Sequence, residues 1–126
     1  MIACDVYWLG FIYRSTHYGL SGDTITGYIY PYCLGIDKKN NIYAGTFYGL
    51  YVSKDDGKTW LKDTSFLSVT INSMIDDSTG DIYCTTGYGF NVNGDGVIHY
   101  SPATKTYKKI GFNDKHVFSI AKNKQM

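Results

Sequence analysis

Three stretches of the 126-residue chain share one spelling. Residues 12–20 read IYRSTHYGL, residues 42–50 read IYAGTFYGL and residues 82–90 read IYCTTGYGF. Each is Ile-Tyr, two residues, Thr, one residue, Tyr-Gly, then Leu or Phe. A pattern written at this spacing marks a structural unit that recurs along the chain. The flanks extend it: CLGIDKKNNIY (33–43) matches SMIDDSTGDIY (73–83), and VFSIAKNK (117–124) opens the pattern again.

The unit reads as four short strands. In the middle copy they are predicted at Tyr32–Ile36, Ile42–Thr46, Leu50–Ser53 and Thr59–Lys62, with turns at Asp37–Asn41, Tyr48-Gly49 and Lys54–Lys58. In the next copy they fall at Asn72–Ile75, Ile82–Thr86, Val97–Ser101 and Thr106–Ile110. Alternating short runs punctuated by Gly, Asn and Asp are the signature of hairpins. Composition agrees: 17% of residues are aromatic, thirteen are Tyr, none is Glu and only four are Ala. Strands favour the first group and helices the second. The fold class expected is all-β.

Four-stranded antiparallel units every forty or so residues predict β-propeller blades, here about 1–30, 31–67 and 68–111, with the start of a further blade at 115–126. The Ile-Tyr segments are expected in equivalent places. The first copy is shorter, so its third and fourth strands should be abbreviated or merged. About three blades do not close a ring, which takes four to eight. The chain is therefore expected either to be part of a longer protein or to assemble, two copies making six blades. The strand expected at Val117–Ala121 would then complete the first blade of the partner.

Residues 53–60, SKDDGKTW, fit Ser, any, Asp, any, Gly, any, Thr, Trp at each defined position, and GLY (49–51) leads into them. The stretch resembles the Asp-box, or BNR-repeat, propellers of sialidases, the sortilin luminal domain, xyloglucan-cleaving glycosidases and sensory regulators of bacterial two-component systems. SPATKTY (101–107) is a shorter, degenerate version. The resemblance implies a structural box formed by Ser53, Asp55, Gly57, Thr59 and Trp60, at the blade periphery. Local side-chain-to-backbone bonds account for every one of these positions. It also suggests an extracytoplasmic location, although the apolar N-terminus, with Asp5 and no basic lead-in, is a poor signal peptide.

Sialidase chemistry, as the resemblance implies it, needs three arginines and a glutamate; the chain has one Arg, Arg14, and no Glu. Paired-carboxylate hydrolysis would fall to Asp5, Asp23, Asp37, Asp76 or Asp114. Asp37 and Asp76 occupy corresponding strand-to-turn junctions, which indicates a repeated turn cap. His17, His99 and His116 lack a nucleophile partner. NVNGDG (91–96) reads as a hairpin tip, since the twelfth position of a calcium loop would be Pro102. Cys4, Cys33 and Cys84 lack metal-site spacing and read as buried free thiols. No metal or cofactor is expected. A net charge of +1 without a basic stripe speaks against nucleic acid, and no apolar run is long enough to span a bilayer.

By repeat equivalence Tyr18, Tyr48 and Tyr88, beside Phe47 and His17, should share the second-to-third-strand face as an aromatic ring suited to a glycan or peptide. The expected function is thus a non-catalytic binding or sensing module with a glycan or protein ligand. The alternative is an incomplete piece of an extracellular glycoside hydrolase whose catalytic residues lie outside this chain.

Overall fold

A computed structural model describes residues 1–4, 10–26, 29–87 and 94–123. It is all-β among those residues, with three antiparallel sheets. Sheet 1 holds β1 (Ile2–Cys4), β2 (Ile12–Arg14) and β3 (Asp23–Thr26). Sheet 2 holds β4 (Pro31–Ile36), β5 (Ile42–Thr46), β6 (Gly49–Ser53) and β7 (Leu61–Lys62). Sheet 3 holds β8 (Ile71–Asp76), β9 (Ile82–Thr86), β10 (Val97–Ser101) and β11 (Thr106–Gly111). In each the strands follow chain order across the sheet. The eight strands expected in the two longer copies are all present, within a residue or two at most ends. No helix is long and apolar enough to cross a membrane among the described residues.

The first hairpin turn of each longer sheet is built by one aspartate. Asp37 Oδ1 accepts from the N–H groups of Lys39 (2.8 Å) and Asn41 (2.9 Å). Asp77 Oδ1 accepts from Thr79 (2.7 Å), Gly80 (3.0 Å) and Asp81 (3.1 Å). These are Asx turns, in which a carboxylate replaces a backbone acceptor. The repeated cap is thus present, but its second member is Asp77 and not Asp76. The pairings Ile36↔Ile42 and Asp76↔Ile82 show why: Asp76 is the last ladder residue of β8, and the turn starts one residue later.

Sheets 2 and 3 pack face to face. All five residues of β5 and four of the five in β9 are buried. Because alternate strand residues point to opposite faces, both faces of these second strands are covered. Leu50, Ile71, Ile82, Cys84, Ile98 and Tyr100 belong to one continuous core with Tyr43 and Phe66. The outer strand β11 is exposed along nearly its whole length. Gly45 leaves room between the sheets: a Cβ there would lie 2.6 Å from Ile71 Cγ2 of sheet 3 and 2.5 Å from Cys33 Sγ of the neighbouring strand β4.

Sheet 1 departs from the expected register. The pairs Ile2↔Arg14 and Cys4↔Ile12 repeat Ile82↔Tyr100 and Cys84↔Ile98. Gly10 (φ 60°) precedes β2 as Gly96 (φ 69°) precedes β10. The next turn copies the one after β6. Ser15 Oγ accepts from Gly19 N at 2.9 Å, as Ser53 Oγ does from Gly57 N at 2.9 Å. Tyr18 and Gly19 have φ of 53° and 89°, and Asp56 and Gly57 have 61° and 85°. Sheet 1 therefore contains the second, third and fourth strands of the unit. Ile12-Tyr13 lies on a third strand, whereas Ile42-Tyr43 and Ile82-Tyr83 lie on second strands. The expectation of equivalent Ile-Tyr segments and abbreviated third and fourth strands is corrected accordingly. Ile beside Tyr suits a half-buried strand such as β2, where Tyr13 is exposed, and equally β5, where Ile42 and Tyr43 are both buried, so the dipeptide does not specify which one.

The segment expected as a strand at Val117–Ala121 is not one. It lies beside β8 at its two ends but joins no ladder, and a strand without a ladder partner is not a strand.

Replacing Gly45 by Ala should lower the unfolding free energy by about 1–3 kcal/mol, the usual cost of forcing a methyl into a packed core. Urea denaturation followed by tryptophan fluorescence would measure it; an unchanged midpoint would show that the two sheets can move apart freely.

Candidate functional site

The turn Ser53–Trp60 is closed by its own side chains. Ser53 Oγ donates to Asp55 Oδ1 (2.9 Å). Asp55 also accepts from Thr59 N (2.8 Å) and Thr59 Oγ1 (2.5 Å), and Trp60 Nε1 donates to the Gly57 carbonyl (3.0 Å). The Thr59 hydroxyl, then its N–H, hold the Asp55 carboxyl at about 2, well below the ordinary carboxylate value. Each polar group of the pattern is thus engaged within the turn.

Antiparallel order sends the turns after β4 and after β6 to one end of sheet 2 and the turn after β5 to the other. Tyr18 is 96% exposed and lines an open cleft of about 830 Å³ with Arg14, Lys39, Asn40, Lys54 and Asp56. Those residues belong to the Asp37 end. Arg14 spans the cleft wall, donating to the Asp56 carboxylate and to its carbonyl oxygen. His17, in the same turn as Tyr18, shares its Nδ1 with Thr16 Oγ1 at 3.0 Å. Phe47 and Tyr48 lie in the turn after β5, at the opposite end, with rings edge-to-face and centroids 4.9 Å apart. Tyr18 and His17 are therefore not brought together with Phe47 and Tyr48. The shift of sheet 1 by one strand is the reason. Tyr88 lies outside the described residues.

The Tyr48 end forms a continuous rim across sheets 2 and 3. Thr70 Oγ1 donates to the Phe47 carbonyl (3.2 Å), and Gly87 N donates to the Thr70 carbonyl (3.1 Å). Asn72 Nδ2 donates to the carbonyls of Gly87 (2.7 Å) and Val117 (3.1 Å), and Val117 N donates to the Thr86 carbonyl (3.0 Å). Tyr48 is 59% exposed here, and Phe112 and Phe118, 70% and 65% exposed, follow β11 on the same side. His116 packs near Phe118, centroids 6.4 Å apart. Residues 112–118 were not among the expected site residues. Their position after a fourth strand was the available signal, because that connection shares its end with the turn after β5.

The carboxylates named as catalytic candidates are dispersed. Asp37 caps its turn, Asp23 starts β3, Asp76 ends β8, Asp114 has φ of 60° beyond β11, and Asp5 lies outside the described residues. Asp77, Asp81 and His99 do converge, with one donor atom of each within 4.8 Å of the others. These three are the described residues that could hold a divalent cation. His99 Nε2 meets Asp81 Oδ2 at 2.9 Å, and its ring stacks on Tyr83 at 4.8 Å, while Asp77 Oδ1 is occupied by its turn. Of NVNGDG, residues 91–93 lie outside the described set; Asp95 pairs with Lys109. Cys4, Cys33 and Cys84 lie on β1, β4 and β9 and form no disulfide, Cys84 buried and the others half-buried. Burial pushes the Cys33 thiol up to about 12.

A polar cluster that sequence patterning did not reveal joins sheets 2 and 3. Asp63, just past β7, is buried. It accepts from Lys105 Nζ (2.8 Å), Ser65 Oγ (2.5 Å), Ser65 N (3.1 Å) and the Tyr100 hydroxyl. Burial alone would raise its carboxyl. Lys105, Ser65 and Tyr100 outweigh that and lower it from 3.8 to about 2. A carboxyl depressed on folding contributes stability that is present above 3.8 and is lost as pH falls toward 2.

Asp63→Asn should therefore lose about 2 kcal/mol of stability at pH 7. The gap to the wild type should narrow as pH falls from 4 to 2. Urea melts at several pH values would show this, and a gap that does not depend on pH would contradict it.

A scan against protein-family models matches none, and a search of curated proteins finds no match.

Proposed function

We propose that the chain is a segment of an Asp-box β-propeller serving as a non-catalytic binding module, whose ligand docks on the aromatic rim at the Tyr48 end. The blades are the units 31–67 and 68–111, with sheet 1 the remaining part of a third. The observation that carries the ligand reading is the rim. A hydrogen-bonded chain of residues links the two connections that present Tyr48, after β5, and Phe112 and Phe118, after β11, to solvent. Exposed rings on a rigid frame offer flat apolar faces with little ordering cost, and Tyr48 adds a hydroxyl. Such a surface suits the apolar face of a pyranose ring or the side chains of an extended peptide. The propeller reading is supported by strand order within each sheet, by the face-to-face packing of sheets 2 and 3, and by the hydrogen bonds among Ser53, Asp55, Gly57, Thr59 and Trp60.

Heteronuclear NMR titration with a panel of oligosaccharides and short peptides tests the ligand reading. Binding should shift amides at 46–49, 70–72 and 111–118. Tyr48→Ala should weaken it about tenfold, equivalent to about 1.4 kcal/mol. Shifts confined to the Tyr18 cleft, or no shifts with any member of the panel, would refute it, and turnover of a saccharide would refute the non-catalytic assignment.

A further inference from the structure

The turns that start at Asp37 and Asp77 share a backbone but not a set of side chains. In sheet 2 both oxygens of the turn aspartate are filled from within the unit. Oδ1 accepts from the N–H groups of Lys39 and Asn41. Oδ2 accepts from Asn41 Nδ2 (2.7 Å) and from the Tyr43 hydroxyl (3.1 Å). Val52, paired with Tyr43 across the ladder, adds an apolar side chain.

Sheet 3 puts a different set at the same positions. Asp77 stands in place of Asp37, Asp81 of Asn41, Tyr83 of Tyr43 and His99 of Val52, the last two again paired across the ladder. Asp77 Oδ1 is held by three turn N–H groups and by the Thr79 hydroxyl (2.6 Å). Its Oδ2 accepts no hydrogen bond among the described residues. The amide donor of Asn41 has become the carboxylate of Asp81, and the Tyr83 ring packs on His99 instead. Both donors to the second oxygen are thus gone, and two ligand-type side chains stand where the sister turn has an amide and a valine. One donor atom of each of Asp77, Asp81 and His99 lies within 4.8 Å of the others, and His99 Nε2 is 2.9 Å from Asp81 Oδ2.

We propose that Asp77, Asp81 and His99 bind a divalent transition-metal ion of the zinc class. The donor set selects the class: imidazole suits zinc, nickel, copper and iron, whereas magnesium and calcium take oxygen ligands. Two donors held at about 2.1 Å from one ion lie at most about 4.2 Å apart, so a small side-chain rotation closes the set around it. The frame is already fixed. The turn bonds hold Asp77 through Oδ1, and His99 sits on β10 with its ring centroid 4.8 Å from that of Tyr83. Supporting contacts of this kind orient ligands before the ion arrives. Three protein ligands leave at least one position for water. Asp81 lines a cleft of about 330 Å³, bounded by residues of sheets 2 and 3, through which that position is reached. The site lies at the Asp37 end, opposite the Tyr48 rim, and does not depend on the ligand reading.

NMR and calorimetric titration of the 126-residue chain with zinc chloride test this. Zinc should bind one ion per chain and shift the amides at 77–83 and 98–100. Magnesium in large excess should not displace it. His99→Gln and Asp81→Asn should each weaken binding about a hundredfold. Asp81→Asn rebuilds the Asp37–Asn41 pair of the sister turn, so the amides of sheet 2 should stay where they are, which separates a lost ligand from a lost fold. The proposal is overturned by zinc shifts centred on the cysteines or His17, by the absence of saturable binding, or by affinity within a few-fold of the wild type in both variants. Zinc binding without saccharide or peptide binding leaves it standing and removes only the ligand reading.

Discussion

A strand whose side chains are buried on both faces needs a neighbour on each side of its sheet. β5 is such a strand, and β9 nearly so. Everything else in the molecule answers this demand. The facing sheet supplies Ile71, the neighbouring strand β4 supplies Cys33, and Gly45 gives up its own side chain so that both can approach. Phe66 and Tyr100 close the core with an edge-to-face contact at 5.2 Å. The burial of these side chains, each contributing about 1.5–3 kcal/mol, is available only when sheets are stacked. One sheet alone would leave half of it in water.

Polar groups then fix how the sheets are stacked. Asp63 binds the sheet it follows to Tyr100 and Lys105 of the next. A buried carboxylate tolerates its site only with charge-assisted partners, so this cluster specifies one relative placement among those that hydrophobic contact alone would allow. Arg14 and Asp56 make a more exposed version of the same link between sheets 1 and 2.

Much of this was legible in the sequence. Short alternating runs located the strands of sheets 2 and 3, because inward and outward residues must alternate there. The turn at Ser53–Trp60 was legible because each of its residues makes a local bond. Sheet 1 was misplaced because Ile-Tyr reports only which face of a strand a residue uses. The informative signs were Gly10, Ser15 and Gly19, which set backbone conformation. The rim residues at 112–118 and the Asp63 cluster were not picked out for another reason. Both depend on which sheets become neighbours, and separations of 37 and 42 residues to Tyr100 and Lys105 leave no local trace.

The turn after β2 has a wider consequence. It keeps the hydroxyl acceptor and two successive left-handed residues of the turn after β6, yet His17 stands where that turn has Asp55, and Gly22 where it has Trp60. Dihedral signs have been kept where residue identities have not. The repeat within this chain is therefore carried by the left-handed positions of its loops, where the letters of the two turns differ.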